Sequence, residues 1–218
     1  LHRIAFHTNG DIESIHSLEI PNPYRYDITF KDVENEGKVW IGINGRLYKI
    51  GMTVQNELKE TLIADCLSFA PDMYFTDFIA KENEVWIASD KGLYRYNKNE
   101  NIVKQYVHVP GNPHSLSQNF LTCLAITNDK QLLDASLKGI NIYPIKDNFE
   151  RISDQVSNTG SKLLNSNFIN CITVEGKHIW VGTESGGINK ITAKRLSLQN
   201  YQYDNKNPQT ISHNPVNA

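Results

Sequence analysis

Short runs rich in β-branched and aromatic residues follow one another along the chain, separated by polar turn residues. In the best-defined stretch the runs are Phe168 to Val174, His178 to Thr183, Gly187 to Ile191 and Leu198 to Tyr203. Helical periodicity is absent, and such runs are typical of β-strands. Three-residue segments of hairpin length, each containing a glycine, separate the first three runs, so the pattern predicts antiparallel strands.

These runs belong to a repeat. An apolar run leads each time to a second run, and the second run opens 46, 47 and 48 residues after the one before it, at Leu47, Leu93, Ile140 and Ile188. The first runs are Val39-Trp40-Ile41-Gly42, Val85-Trp86-Ile87-Ala88, Leu132-Leu133-Asp134-Ala135 and Ile179-Trp180-Val181-Gly182.

Four antiparallel strands in each unit describe a blade of a β-propeller. We therefore expect an all-β propeller segment of four-stranded antiparallel blades, about 46–48 residues each, cut from a larger ring. A parallel β-helix would have shorter rungs, and a β-sandwich would not repeat the Trp-to-Gly spacing. The predicted single segment, 1–218, divides into a partial blade 1–20, blades at about 21–65, 66–110, 111–160 and 161–205, and a partial blade 206–218.

The repeated positions have structural interpretations. Three tryptophans are expected to fill the space between blades, and three glycines to serve the turns that precede the third strands. The three cysteines show no CxxC spacing and are expected to be small buried side chains. The residues are Trp40, Trp86, Trp180, Gly92, Gly139, Gly187, Cys66, Cys123 and Cys171.

Composition narrows the possible partners. The chain has 22 basic and 24 acidic residues, a net charge of −2, and no basic cluster that could follow a phosphate backbone. Nucleic acid and anionic membrane surfaces are therefore not expected as partners. No apolar run approaches the roughly 18 residues of a membrane-spanning helix, so any membrane attachment would come through a parent protein.

The recurring motif resembles the two-component regulator propeller repeat. The resemblance rests on Val-Trp-Ile-Gly, a following Gly, Leu93-Tyr94-Arg95-Tyr96, and the segment Asn112 to Phe120, which returns in part at Asn207 to Asn214. The tryptophans are followed by Ile or Val and not by the Asp of WD repeats. This chain departs from the family pattern at Leu133 and Pro215, where Trp and Phe are usual, and Arg46 stands at the place of the later blades' glycine.

The resemblance implies a larger propeller of seven blades. It also implies a periplasmic sensor region of a hybrid two-component histidine kinase, carried by an inner-membrane parent, that recognises an oligosaccharide or related signal. No cofactor, metal site or enzyme motif is recognised. Alternatives are a protein-interaction propeller and, less favoured, a propeller glycosidase or lyase, whose carboxylates come from several blades. Open blade edges would also permit a homodimer.

The loops between blades are the expected binding surface, because they gather on one face and are rich in side chains that hydrogen-bond sugar hydroxyls. The same residue types are also ordinary turn formers. The candidate ligand-binding residues are His114, Gln118, Asn119, Asn165, Asn167 and His213.

Overall fold

The computed structural model describes residues 2–17, 28–31, 39–43, 45–55, 57–80, 83–143, 149–154, 164–192 and 197–217. The chain forms two compact units, Leu1–Phe75 and Thr76–Ala218. The secondary structure of the described residues consists of β-strands and one short 3₁₀-helix, Cys66–Ser68. The predicted all-β class is confirmed.

The first unit contains two antiparallel sheets. One has two strands, and the other has four strands that lie in sequence order. The strands are β1 (His2–Phe6) and β2 (Ile12–Ser17) in the first sheet, and β3 (Ile28–Lys31), β4 (Val39–Ile43), β5 (Arg46–Met52) and β6 (Leu58–Asp65) in the second. Ile41, Ile43 and Ile50 form a small buried cluster on the four-stranded sheet.

Three further sheets follow, each with four antiparallel strands in sequence order. Apart from the first residue of β7, they belong to the second unit. They are β7 (Phe75–Ala80), β8 (Glu84–Ser89), β9 (Gly92–Asn97) and β10 (Ile102–Tyr106); β11 (Leu121–Ile126), β12 (Leu132–Ser136), β13 (Gly139–Tyr143) and β14 (Glu150–Ile152); β15 (Ile169–Glu175), β16 (His178–Thr183), β17 (Ile188–Thr192) and β18 (Ser197–Tyr201).

These sheets are the four-stranded blades that the repeat predicts. The strand limits agree to within two residues: β16 coincides with the predicted run, whereas β18 ends at Tyr201 and not at Tyr203. The predicted blade limits, the single segment and the open ring describe the whole chain, and they stay predictions.

Apolar clusters join neighbouring sheets of the second unit. One combines Trp86, Leu93 and Tyr106 with Leu124 and Phe149 of the next sheet. Another combines residues of the β11–β14 and β15–β18 sheets, among them Leu133, Ala135, Ile140, Leu164, Ile169, Ile179 and Val181. A sheet that is buried on both faces cannot exist alone, so each one is stabilised by its neighbours.

The tryptophans of the repeat each pair with a cation across β-strands. Trp86 stands opposite Arg95, whose guanidinium carbon lies 5.6 Å from the ring centre. The same pairing joins Trp40 to Lys49 and Trp180 to Lys190. In the sheet with Leu133 in place of Trp, the opposite residue is Ile142. The cation is thus present where an aromatic face is available to it.

The glycine at or directly before the start of the third strand in each sheet of the second unit has a positive φ angle, which favours glycine. Gly92, Gly139 and Gly187 have φ angles of +114°, +106° and +72°. A Cβ at Gly139 would lie 2.3 Å from the carbonyl oxygen of Ile152, and the other two glycines have equally close contacts. Only glycine fits without a shift of the neighbouring main chain. Because these glycines have no side chain, the end of the fourth strand can lie close against the start of the third.

Candidate ligand-binding face

Three connections of the second unit lie at the edge of the sheets where the innermost strands begin. They comprise residues 107–120, 153–168 in part, and 202–217, and each leads away from an outermost strand. We call this edge the loop face. Residues 155–163 of the middle connection lie outside the described residues. The loop face contains all six residues that the sequence analysis proposed as ligand contacts.

An asparagine that recurs in each connection forms a hydrogen bond across it. The side-chain oxygen of Asn119 accepts the main-chain N–H of His108 at 2.7 Å, and that of Asn167 accepts the N–H of Asp154 at 2.8 Å. Asn214 makes the same bond to Tyr203 at 2.8 Å. Asn119 and Asn167 therefore use their amide oxygens to shape their loops. The recurrence of Asn at these spacings in the sequence could have revealed this role.

A second asparagine, in the third strand, holds the tip of the loop. Asn141 Oδ1 accepts the N–H of Ser117 at 2.9 Å, and Asn189 Oδ1 accepts the N–H of Asn165 at 3.1 Å. The Asn165 side chain in turn accepts a bond from Asn200 at 2.9 Å. Both third-strand asparagines are fully buried, so they are part of the scaffold beneath the face.

The remaining candidates have exposed or half-exposed side chains. The His114 main chain is bonded on both sides, to Asn112 and to Phe149. Gln118 donates to the carbonyl of Phe120 at 3.0 Å, and the His213 ring stacks on Tyr203. Each of these contacts stays within one loop and its adjoining sheet. The six candidates are therefore spread over three loops.

Two exposed aromatic side chains stand on the loop face that the sequence analysis did not propose. Phe120 and Phe168 are 43% and 52% exposed and directly precede the innermost strands β11 and β15. These two strands lie against each other as the innermost strands of neighbouring sheets. The signal was present, because Asn-Phe occurs at both positions in the sequence.

Polar groups surround Phe168. Its carbonyl accepts the N–H of Glu184 at 2.9 Å, and Asn170, two residues further on, donates to the Glu184 carboxylate at 2.8 Å and to Asn217 at 2.9 Å. The Glu184 and Asn217 side chains are exposed. This part of the loop face thus combines apolar rings with amide and carboxylate groups.

A groove of about 330 Å³ lies at the opposite edge of the same sheets, which we call the turn face. Val174 and Ile179 contribute apolar surface to it, and Asn128, Asp129 and Lys177 contribute polar groups. The groove forms where the turn between β11 and β12 meets the turn between β15 and β16. In sequence these segments are ordinary hairpin turns, and no role in binding is predicted for them.

The described residues hold no group of three or more His, Cys, Asp or Glu side chains placed to bind a metal ion. Helices of the length and hydrophobicity needed to cross a bilayer are likewise absent from that part of the chain. Burial raises the pKa of the Cys66 and Cys123 thiols to about 12, with smaller contributions from Asp65 and Asp77 respectively. These thiols are therefore protonated at neutral pH.

Comparison with solved structures finds this fold in two extracellular domains. The extracellular domain of a B. thetaiotaomicron protein described as a hybrid two-component system superposes with a TM-score of 0.61 at 19% identity, over 84% of this chain and 25% of that one. The extracellular domain of a protein described as a one-component system from the same organism gives 0.52 at 14% identity, over 99% and 35%. This chain shares their fold. The propeller resemblance stated from the sequence is thereby confirmed.

The same fold occurs in an enzyme. Virginiamycin B lyase from Staphylococcus aureus superposes with a TM-score of 0.54 at 15% identity, over 93% of this chain and 63% of the lyase. This chain spans between a quarter and two thirds of the lengths of these three proteins. No family model matches it, and no curated protein matches it in sequence. At these identities the likeness establishes the fold alone.

Proposed function

We propose that this chain is part of the extracytoplasmic sensor region of a hybrid two-component regulator and that its loop face recognises an oligosaccharide or a related signal. The propeller repeat of the sequence and the shared fold of the two extracellular domains support the sensor assignment. The parent protein would lie in the inner membrane, with this region in the periplasm and a histidine kinase beyond the membrane.

The exposed pair Phe120 and Phe168 is the observation that carries the ligand class. Sugar rings have apolar faces that pack on aromatic rings, and hydroxyl groups that pair with amides and carboxylates. Gln118, Asn170 and Glu184 supply such polar groups beside the two rings. An exposed ring on a rigid strand end also loses little conformational freedom when a ligand binds.

A protein-docking role is the second candidate. Val107, Val109 and Leu137 are also exposed on or beside the loop face, and an apolar surface of this kind is typical of protein interaction sites. A sugar site requires the polar neighbours of the rings, whereas docking requires the valines and Leu137. We propose a non-enzymatic role, because Asp77 and Asp134 are buried inside the sheet packing and not gathered on the loop face.

Isothermal titration calorimetry tests the proposal. The chain is titrated with neutral, uronic-acid-containing and sulfated oligosaccharides of two to six sugars. We expect one class to bind, and Phe120→Ala or Phe168→Ala to weaken that binding at least about tenfold, the effect of losing one well-placed ring contact. Ile102→Ala, an equally exposed apolar residue on β10, is the matched control. Absence of heat with every class, or equal affinity in all variants, would refute the proposed site.

A further inference from the structure

The centre of the second strand is apolar in three of the four-stranded sheets and acidic in one. The residues that face the middle of the third strand are Ile41, Ile87 and Val181 in three sheets, and Asp134 in the β11–β14 sheet. Nothing in the proposed function uses this carboxyl group. A carboxyl group at a core position carries a large desolvation cost when it is ionised.

Only one of the two carboxyl oxygens of Asp134 has a hydrogen-bond partner among the described residues. The residue is 0% exposed. One oxygen accepts a bond from Asn141 Nδ2 at 2.5 Å, whereas the other is buried and has no hydrogen-bond partner in the described part of the chain. Salt bridges normally compensate a buried charge, but none to Asp134 occurs among these residues.

Asp134 pairs with the amide nitrogen of Asn141. Because the Ser117 N–H is a donor, it requires the amide oxygen of Asn141, and the amide nitrogen must then point to an acceptor on Asp134. The next sheet shows the arrangement without the acid. There Asn189 accepts the N–H of Asn165, and its strand partner is Val181. Its buried amide nitrogen has no hydrogen-bond partner among the residues that the structure describes.

The side chain of Asp134 lies on the face of β12 that also carries Leu132 and Ser136. Leu132 packs in the cluster of Trp86, and Ser136 bonds to Ser117 of the loop at 2.8 Å. The carboxyl group therefore faces the β7–β10 sheet and the loop of residues 107–120. The ionisable groups on the strands around it are Asp77 on β7, Glu84 on β8, Tyr94, Arg95 and Tyr96 on β9, Lys104 and Tyr106 on β10, Cys123 on β11, Tyr143 on β13, and Glu150 and Arg151 on β14. The turns and the loop add Asp90, Lys91, Asp129, Lys130, Lys138, His108 and His114. Arg151 stands opposite Asn141, but its side chain is exposed and makes no hydrogen bond to Asp134 among the described residues.

None of these groups compensates a charge on Asp134. Asp77 has the same sign and bonds to the N–H of Leu124, the β11 residue opposite Asp134. The Arg95 guanidinium is bonded to Glu84. Burial raises the pKa of Asp134 to about 7, although the bond from Asn141 acts in the opposite direction. The carboxyl group is thus neutral in mildly acidic solution and charged in mildly alkaline solution.

We propose that Asp134 is a pH-sensitive positioning residue, whose neutral carboxyl group keeps Asn141 bonded to Ser117 and whose ionisation loosens the loop of residues 107–120. A charge at this site is relieved by admitting water between the two sheets, and the loop that covers the contact must move for water to enter. The inference concerns the loop and stands independently of which ligand the loop face binds.

Amide hydrogen exchange tests the proposal. The protection factor of the Ser117 N–H, corrected for the intrinsic rate, is compared from pH 5 to pH 9 with that of Asn165, which is held by Asn189 beside Val181. We expect Ser117 protection to fall about tenfold or more across neutral pH and Asn165 protection to stay constant. Asp134→Asn should remove the pH-dependent fall in Ser117 protection. Asp129→Asn changes an exposed carboxyl group in the turn between β11 and β12 and should leave that fall unchanged.

The carboxyl carbon of Asp134 provides a second measurement on the unmodified chain, independent of whether the variants fold. Its NMR chemical shift should titrate near neutral pH, in step with the loss of Ser117 protection. A midpoint near 4, or Ser117 protection that is constant over the whole range, would overturn the proposal.

Discussion

The carboxylate of Asp77 accepts the main-chain N–H of Leu124 at 2.8 Å and so joins the innermost strands of two neighbouring sheets. It also accepts the N–H of Phe78 at 2.8 Å. Cys123 occupies the equivalent place in the next sheet, on the innermost strand β11, which lies against β15.

Replacing Asp77 should weaken the contact between strands β7 and β11. Asp77→Ala leaves the Leu124 N–H buried without an acceptor, and hydrogen bonds to charged groups contribute about 1.5–3 kcal/mol each. We expect the free energy of unfolding in urea to fall by about 3 kcal/mol. Glu150→Ala, which removes an exposed carboxylate on β14, should change it by less than about 0.5 kcal/mol. Equal effects of the two substitutions would exclude a special role for Asp77.

Gly139, at the start of a third strand, and Gly111, in a loop, both have positive φ angles, so the effects of replacing them can be compared. Gly139→Ala would place a Cβ 2.3 Å from the Ile152 carbonyl at φ +106°, whereas Gly111→Ala at φ +82° meets no atom within 4 Å. Both substitutions strain the backbone, by about 1–2 kcal/mol, but only the first also displaces the fourth strand. Thermal denaturation should show a clearly larger loss for Gly139→Ala, and similar losses would contradict the close approach.

The repeat made the sheets predictable because the same strand and turn signals recur in every unit. Strand ends were less predictable: β18 stops at Tyr201, although Gln202 and Tyr203 continue the apolar-polar alternation. At Arg46, where the later sheets have glycine, the sequence left the consequence open. The structure pairs Arg46 with Asp65 at 3.1 Å and places the positive φ at Gly45.

The tryptophans should differ in their contribution to stability. Trp86 is 6% exposed and packs on Tyr106 and Tyr143, with ring centres 5.9 and 5.1 Å away. Trp180 is half-buried and stacks on Tyr201. Trp86→Ala should therefore lower the free energy of unfolding by about 3–5 kcal/mol, and Trp180→Ala by clearly less. A melting temperature unchanged by Trp86→Ala would remove its packing role.

The stability of the chain should depend on pH through Asp134. Its pKa is about 7 in the folded chain and near the ordinary value of 3.8 in the unfolded chain. Between these values the folded state binds the additional proton, so the free energy of unfolding falls as pH rises from about 4 to about 7 and then levels off. One pKa unit corresponds to about 1.4 kcal/mol, so the total contribution is on the order of 4 kcal/mol.

Urea denaturation at a series of pH values measures this contribution. Asp134→Asn should abolish most of the slope between pH 4 and pH 7, and Asp129→Asn should preserve it. A wild-type slope of opposite sign that persists in Asp134→Asn would point to other carboxyl groups as the origin of the pH dependence.

The candidate site was less accessible from sequence than the fold. The sequence identified loops that lie together on one face. Asn119 and Asn167, however, hold the shape of their loops through hydrogen bonds to residues 11 and 13 positions away, which the sequence does not show. Phe120 and Phe168 resembled core residues, because hydrophobic type alone does not tell which side of a strand end is exposed. The turn-face groove arises from two turns in different sheets and has no signature in either segment.

A crystal structure of the chain with the oligosaccharide that binds most tightly tests the central claim most directly. We expect a sugar ring packed within about 4 Å of Phe120 or Phe168, the usual contact distance of apolar groups, with its hydroxyl groups bonded to the Gln118, Asn170 or Glu184 side chains. A sugar seated in the turn-face groove beside Asp129 and Lys177, with both phenylalanines uncovered, would contradict recognition by the loop face.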